Sequence, residues 1–446
     1  FRAMAAPTLE AVVQHIQGLS GATEDWPALK EYLETNKPTI EAGLSSGAVD
    51  RVLSELDPCA HSLGYLFLLH VKASSTEDDA GQQMFLMLTQ NFLLNCSGPQ
   101  IRQLPTQLVK VCRKFADVCQ AMKQPFLGVR ALLMAVERGR PNPETLTAMH
   151  SELLRLCLLS KCLKGALPVL EQDIYHVSKE LCQDVDYLTY FYYGGMIFMG
   201  LKRFKNALDF LELCFAMPCQ VVSQVIVEAY KKYVLLCILV HGSAQPLPKH
   251  VPGFMQRHLK HASAAYTDLA TSYETHDVDK VDEMMAKHGA TYAADQTAGL
   301  VKQIRTSLCT RNVQRLTATY GTMSLSDLAE HVGLANADAA EHHILVMIEQ
   351  GRVNATIDQL AGMVVFQSDD TGPHGLELQR RLEAKISEAN RLQKKLRDVD
   401  ETIAADPAFL TKVTASEQKT RWGGEGAVET MDWSASEKPP GFFSGV

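Results

Sequence analysis

From about residue 8 to residue 310, apolar positions recur at three- and four-residue spacing, and strand-type alternation is absent. This predicts a succession of amphipathic helices separated by short Gly, Pro or Asn breaks. A repeat is visible inside the segment. Leu163, Ala166, Leu167 and Leu170 recur 41 residues later as Phe204, Ala207, Leu208 and Leu211, and Lys161 and Lys164 recur as Lys202 and Lys205. Small residues at Gly195 and Ala207 let two helices cross closely. Helix pairs of this kind cannot bury their apolar faces alone, so they stack into a solenoid.

The pattern changes near residue 311. Ser324 followed by Asp327 opens a helix whose apolar face is Leu325, Leu328, Ala329 and Val332, and Gly333 stops it. Asn336 opens a second helix with Ala340, Ile344, Leu345 and Ile348 at helical spacing, and Gly351 ends that one. Val353, Ala355 and Ile357 alternate as a strand; Asp358 to Gly362 turns the chain; Met363 to Phe366 runs back as its partner. Two helices and a hairpin in this order predict a winged helix over residues 311–370.

A third pattern covers residues 375–405. Leu382, Ile386, Ala389, Leu392, Leu396, Val399 and Ile403 repeat at a mean spacing near three and a half residues, a coiled-coil-like stripe on an otherwise charged helix. A single stripe on so long a helix needs a partner, and a helical bundle with other chains is the expected one. Residues 406–446 lose periodicity and are expected to be a disordered tail, with Trp422, Trp433, Phe442 and Phe443 as stray aromatics. At the other end, Phe1-Arg2-Ala3 reads as an expression scar ahead of Met4. Residues 1–7 are expected to be flexible, and no signal-peptide pattern follows.

Charge decides what the winged helix binds. Between Arg315 and Phe366 there are two basic residues, Arg315 and Arg352, against six acidic ones, among them Asp338, Glu341 and Glu349 on the second helix. DNA affinity needs several Lys or Arg contacts to phosphate, so this module is expected to pack on protein. Lys302, Arg305, Arg311 and Arg315 form a modest basic stripe before it and keep weak RNA contact open. The net charge of −8 adds no general attraction to nucleic acid or acidic membranes, and no apolar run is long enough for a membrane span.

Catalytic signatures are scarce. There is no phosphate-binding Gly-rich loop and no His-Glu-x-x-His, so no cofactor or metal is expected. His258 and His261 have neither Cys nor carboxylate beside them. Gly43-Leu44-Ser45-Ser46-Gly47 matches a nucleophile elbow only formally, because Pro38 to Ala42 before it reads as helix and the elbow requires a strand. The acidic run Glu77-Asp78-Asp79 reads as a solvated loop. The eleven cysteines include no Cys-x-x-Cys pair and fall mostly in apolar helical patterns, as reduced buried thiols of a cytoplasmic or nuclear protein do.

Several motifs carry a family resemblance: His61-Ser62-Leu63-Gly64-Tyr65-Leu66, Tyr192-Tyr193-Gly194-Gly195-Met196-Ile197, Gly200-Leu201-Lys202-Arg203-Phe204, Glu228 to Tyr233, Ser324 to Ala329 and Gly362 to Phe366. With the order of solenoid, winged helix and long helix, they resemble the PCI-domain scaffold proteins, and among these the subunit-three family of the COP-nine signalosome, plant-like at Ile16 to Gly21. The resemblance implies a mainly α fold: a TPR-like solenoid over 8–310, a winged-helix part of a PCI domain and a C-terminal bundle helix. It implies a non-catalytic scaffold supporting cullin deneddylation, and hence control of cullin-RING ubiquitin ligases and, in plants, repression of photomorphogenesis. Its implied partners are other signalosome subunits, met through the strand edge at Val364, Val365 and Phe366 and through the stripe at Leu382, Ile386, Ala389, Leu392, Leu396, Val399 and Ile403. A PCI subunit of the proteasome lid is the alternative within the same class, and a nucleic-acid-binding winged helix the one outside it.

Overall fold

The structure is a computed structural model. It describes residues 9–21, 23–44, 48–74, 79–177, 181–217, 221–249, 251–367, 375–407 and 409–413. The tail aromatics, the Ser45–Gly47 part of the elbow-like pattern and Glu77-Asp78 lie outside these residues. The chain divides into two units, residues 1–306 and 307–446.

Among its described residues the first unit has one short parallel strand pair, Thr145–Leu146 with His176–Val177, and its other regular elements are helices. Among the N-terminal helices α1 (Ser62–Ala73) is apolar nearly all round and buries ten of its twelve residues, as a helix surrounded by others must. Tyr65 of this helix stacks on Phe92, with centroids 5.1 Å apart. Beyond it come α2 (Pro105–Ala121), α3 (Pro125–Gly139), α4 (Ala148–Leu159), α5 (Asp184–Gly200) and α6 (Phe204–Ala216). Three of these helices, α2, α4 and α5, end in one recurring turn. Lys123, Lys161 and Lys202 each take the left-handed conformation, with φ of 55°, 56° and 59°. In each turn the next residue's N–H reaches back five residues: Gln124 to Cys119, Cys162 to Cys157 and Arg203 to Phe198, at 2.9–3.0 Å. This is the Schellman closure, which satisfies carbonyls that a helix end leaves orphaned. Lys161 and Lys202 lie at the 41-residue separation seen in the sequence.

The repeat is less regular than its spacing predicts. The second copy, Phe204 to Leu211, sits in the thirteen-residue α6, whereas the first is a 3₁₀ turn, Leu163–Ala166, followed by four helical residues, Leu167–Leu170. Pro168 starts that new turn and cannot continue the old one, because it lacks the N–H. The close crossing of α5 and α6 does hold: a Cβ on Gly195 would lie 2.8 Å from Leu211, and Ala207 is fully buried. Across the adjacent layers Arg113 of α2 reaches Asp186 of α5 (2.7 Å) and Glu152 of α4 (3.4 Å), while Arg155 bonds Glu152 and Asp117 at 2.7 Å each. Burial drives the Glu152 pKa upward, against the pull of Arg155 and Arg113.

In the second unit β1 (Thr322–Ser324) precedes α7 (Leu325–Val332), α8 (Ala337–Glu349), β2 (Ala355–Asp358), β3 (Met363–Phe366) and α9 (Gly375–Ala405). Ser324 Oγ accepts the Asp327 N–H at 3.1 Å, and Gly333 ends α7 with φ of 71°, a conformation glycine adopts without steric cost. The antiparallel sheet has the order β1-β3-β2, with Met323 opposite Val364 and Thr356 opposite Val365. Its core gathers Val313, Leu328, Val332, Ala340, Ile344, Met347, Val364 and Phe366. Leu345, expected on the apolar face of α8, instead points outward and is 45% exposed; Met347 takes the inward place.

Candidate interaction surfaces

Three features of the second unit stand open. The first is a sheet edge. β3 is the central strand, paired on both sides, so it offers no free edge. This corrects the expectation placed on the strand ending at Phe366. Val364 and Phe366 face the core, at 0% and 9% exposure, and only Val365 faces outward. The reason is the three-residue β1, whose signal is too short to read, and which turns the hairpin into a sheet. Among the described residues the free edges are β1 and β2. Asn354 O accepts the Gln367 N–H at 2.9 Å. Pairing alternates along an antiparallel ladder, so Ala355 and Ile357 direct their N–H and C=O groups outward.

The second feature is a groove of about 680 Å³ beside that edge, between α8 and the hairpin. Leu345, Ile348, Ile357, Leu360 and Val365 supply its apolar lining, and Glu341 and Asp358 its charge. Leu360, at the hairpin tip, is fully exposed. In a DNA-reading winged helix α8 would enter the groove of the duplex. Here it carries Asp338, Glu341 and Glu349, and its His343 has a pKa lowered by burial first and then by His342 and Arg352. The face is acidic and apolar, which suits a protein surface and repels phosphate.

The third feature is α9, 31 residues and about 46 Å long. Leu378, Leu382, Ile386, Leu392, Leu396, Val399 and Ile403 are between 43% and 72% exposed, and Ala389 is exposed with them. Exposure of that size along a single face is what a solitary helix shows.

Among the described residues of the first unit most cysteines are buried. Burial pushes the thiols of Cys119, Cys157, Cys182 and Cys214 up to about 12, which leaves them protonated at neutral pH. His258 and His261 are exposed, and no three metal-binding side chains meet among the described residues.

A solenoid leading into a winged helix and an open helix narrows the comparison with known proteins. Residues 23–255 match the family of COP9 signalosome complex subunit 3, N-terminal helical repeats, and residues 285–368 match the PCI domain. The chain belongs to the COP9 signalosome subunit 3 family. An Arabidopsis thaliana protein named COP9 signalosome complex subunit 3 is 35% identical over 422 residues, 94% of this chain and 97% of its own. A Dictyostelium discoideum protein of the same name is 34% identical over 372 residues, 82% and 88% of the two chains. The subunit 3 repeats thus cover the helices with the recurring left-handed turn, and the PCI match ends just past β3.

Proposed function

We propose that this chain is a non-catalytic scaffold subunit of a COP9 signalosome. In this role it supports removal of a ubiquitin-like modifier from cullins, and thereby the regulation of cullin-RING ligases, in cytoplasm and nucleus. In a plant the same activity represses photomorphogenesis. The observation that carries the reading is the stripe on α9, whose apolar residues from Leu382 to Ile403 stay largely exposed among the described residues. An apolar face at heptad spacing is completed by partner helices in a bundle. The β2 edge with the adjoining groove supplies the second contact, where a neighbour's strand satisfies the outward backbone groups of Ala355 and Ile357. Val365 belongs to that contact, whereas Val364 and Phe366 support it from the core. The acidic face of α8 weighs against the nucleic-acid alternative, and the family match to subunit 3 against the proteasome lid.

The test is co-expression with candidate signalosome subunits, using the intact chain and a chain cut after Gly375, read by native mass spectrometry. The intact chain is expected to assemble and the cut one to be lost from the complex. Equal assembly of both would remove the bundle from the proposal, and assembly of neither would remove the complex.

A further inference from the structure

The left-handed turns bring a set of lysines to one edge of the solenoid. Residues 120–125, 159–165 and 200–206 hold Lys123, Lys161, Lys164, Lys202, Arg203 and Lys205 and no acidic residue, in a chain with 51 acidic against 43 basic residues. The turns at Lys161 and Lys202 are neighbours, and the first of them also lies against α3. Leu163 would meet a Cβ on Gly200 at 2.5 Å, and a Cβ on Gly165 would lie 3.4 Å from Val129. Arg203 is engaged by Glu171 at 2.6 Å. The five lysines are exposed, and none makes a side-chain hydrogen bond or ion pair among the described residues.

Folding accounts for only part of this set. Lys123, Lys161 and Lys202 follow helix C-termini, where a cation meets the negative end of the helix dipole. Lys205 lies in the first turn of α6, and Lys164 in the 3₁₀ turn that opens the next helical stretch, where the dipole opposes a cation. The Lys-x-x-Lys pair nevertheless occurs in both turns.

We infer that this lysine ridge docks an extended, Asp/Glu-rich segment of a partner protein. Neighbouring helix layers are about 10 Å apart, which matches about three residues of chain in the polyproline II conformation, whose side chains return to the same face every third residue. A carboxylate at every third position would therefore meet one turn after another. The inference does not depend on the α9 bundle, because every residue it uses lies in the first unit.

The experiment measures fluorescence anisotropy of a labelled twelve-residue peptide with Glu at every third position, added to the full-length chain at low and moderate salt. Comparison ligands are a peptide of the same composition with its glutamates clustered, a uridine dodecamer and phosphatidylserine vesicles. The variant carries Lys161→Asn, Lys164→Gln, Lys202→Asn and Lys205→Gln, with Asn at the two left-handed positions because it tolerates them. The control carries Lys260→Gln and Lys287→Gln. The expected result is salt-sensitive binding of the spaced peptide, weakened at least tenfold in the variant and unchanged in the control. Undiminished binding by the variant, equal binding of the clustered peptide, or tighter binding of RNA or vesicles would each overturn the inference.

Discussion

Replacing Leu382, Ile386 and Leu396 with Ser separates a surface waiting for partners from one that serves this chain's own fold. The three side chains are 53%, 59% and 72% exposed. Full burial of a Leu or Ile is worth ~1.5–3 kcal/mol, so their exposed fractions leave about 1–2 kcal/mol each, or about 3–5 kcal/mol together, for a bundle to gain. Association should weaken by about a hundredfold or more. The isolated chain should hardly notice, since exposed substitutions of this kind change stability by about 0.5 kcal/mol or less. Two assays on the same preparation decide it: retention in the co-expressed complex by native mass spectrometry, and the thermal midpoint of the chain alone. If the triple variant assembles like the parent, the stripe is not the contact. If the midpoint of the isolated chain drops by several degrees instead, the stripe packs within the chain and the bundle argument fails.

Other expectations follow from single residues. Ala355→Pro removes an outward N–H from the β2 edge without touching the ladder to β3, so the winged helix should stay folded while association through this edge falls; surface plasmon resonance against the neighbouring subunit would show it. Gly195→Ala should destabilise the first unit by about 1–3 kcal/mol by driving a methyl group into Leu211, and an unchanged urea midpoint would refute the close crossing. Burial lowers the pKa of His150 to about 4. The unfolded chain therefore binds this proton first as pH falls, and stability is lost between about pH 6.5 and 4, by about 3 kcal/mol in all. His150→Asn should flatten that slope in urea melts at pH 7.5 and 5. Ser324→Ala should cost about 1 kcal/mol through loss of the cap on Asp327 N–H, read in the unfolding of the second unit.

The elements with long periodic signals were legible before any coordinates. The helices around Gly195 and Ala207, the start of α7 at Ser324 and its end at Gly333, and the heptad-like stripe of α9 all follow from residue type and spacing. The misses have local causes. β1 is three residues long, too short for alternation to show, and its absence from the pattern made β3 look like an edge. Leu345 fits the helical period as well as Ile344 does, but a helix beside a three-stranded sheet buries a narrower arc. The left-handed turns carried no glycine to announce them: Lys123, Lys161 and Lys202 occupy places where a sequence reader expects Gly. The groove at Leu360 needed the fold, since it joins residues from a helix and a hairpin.

The open face of α9 also bears on how much of this protein a cell can hold. A copy made without its neighbours displays an exposed apolar stripe along a helix about 46 Å long, the kind of surface that chaperones retain and quality-control ligases mark. We expect its abundance to follow the supply of its partners and not the rate of its own synthesis. A pulse-chase would test this: the half-life of the overexpressed chain should lengthen when partners are co-expressed, and an equal half-life in both conditions would rule the coupling out. In that sense the stripe sets gene dosage, since making more of this subunit alone would yield turnover and little additional complex.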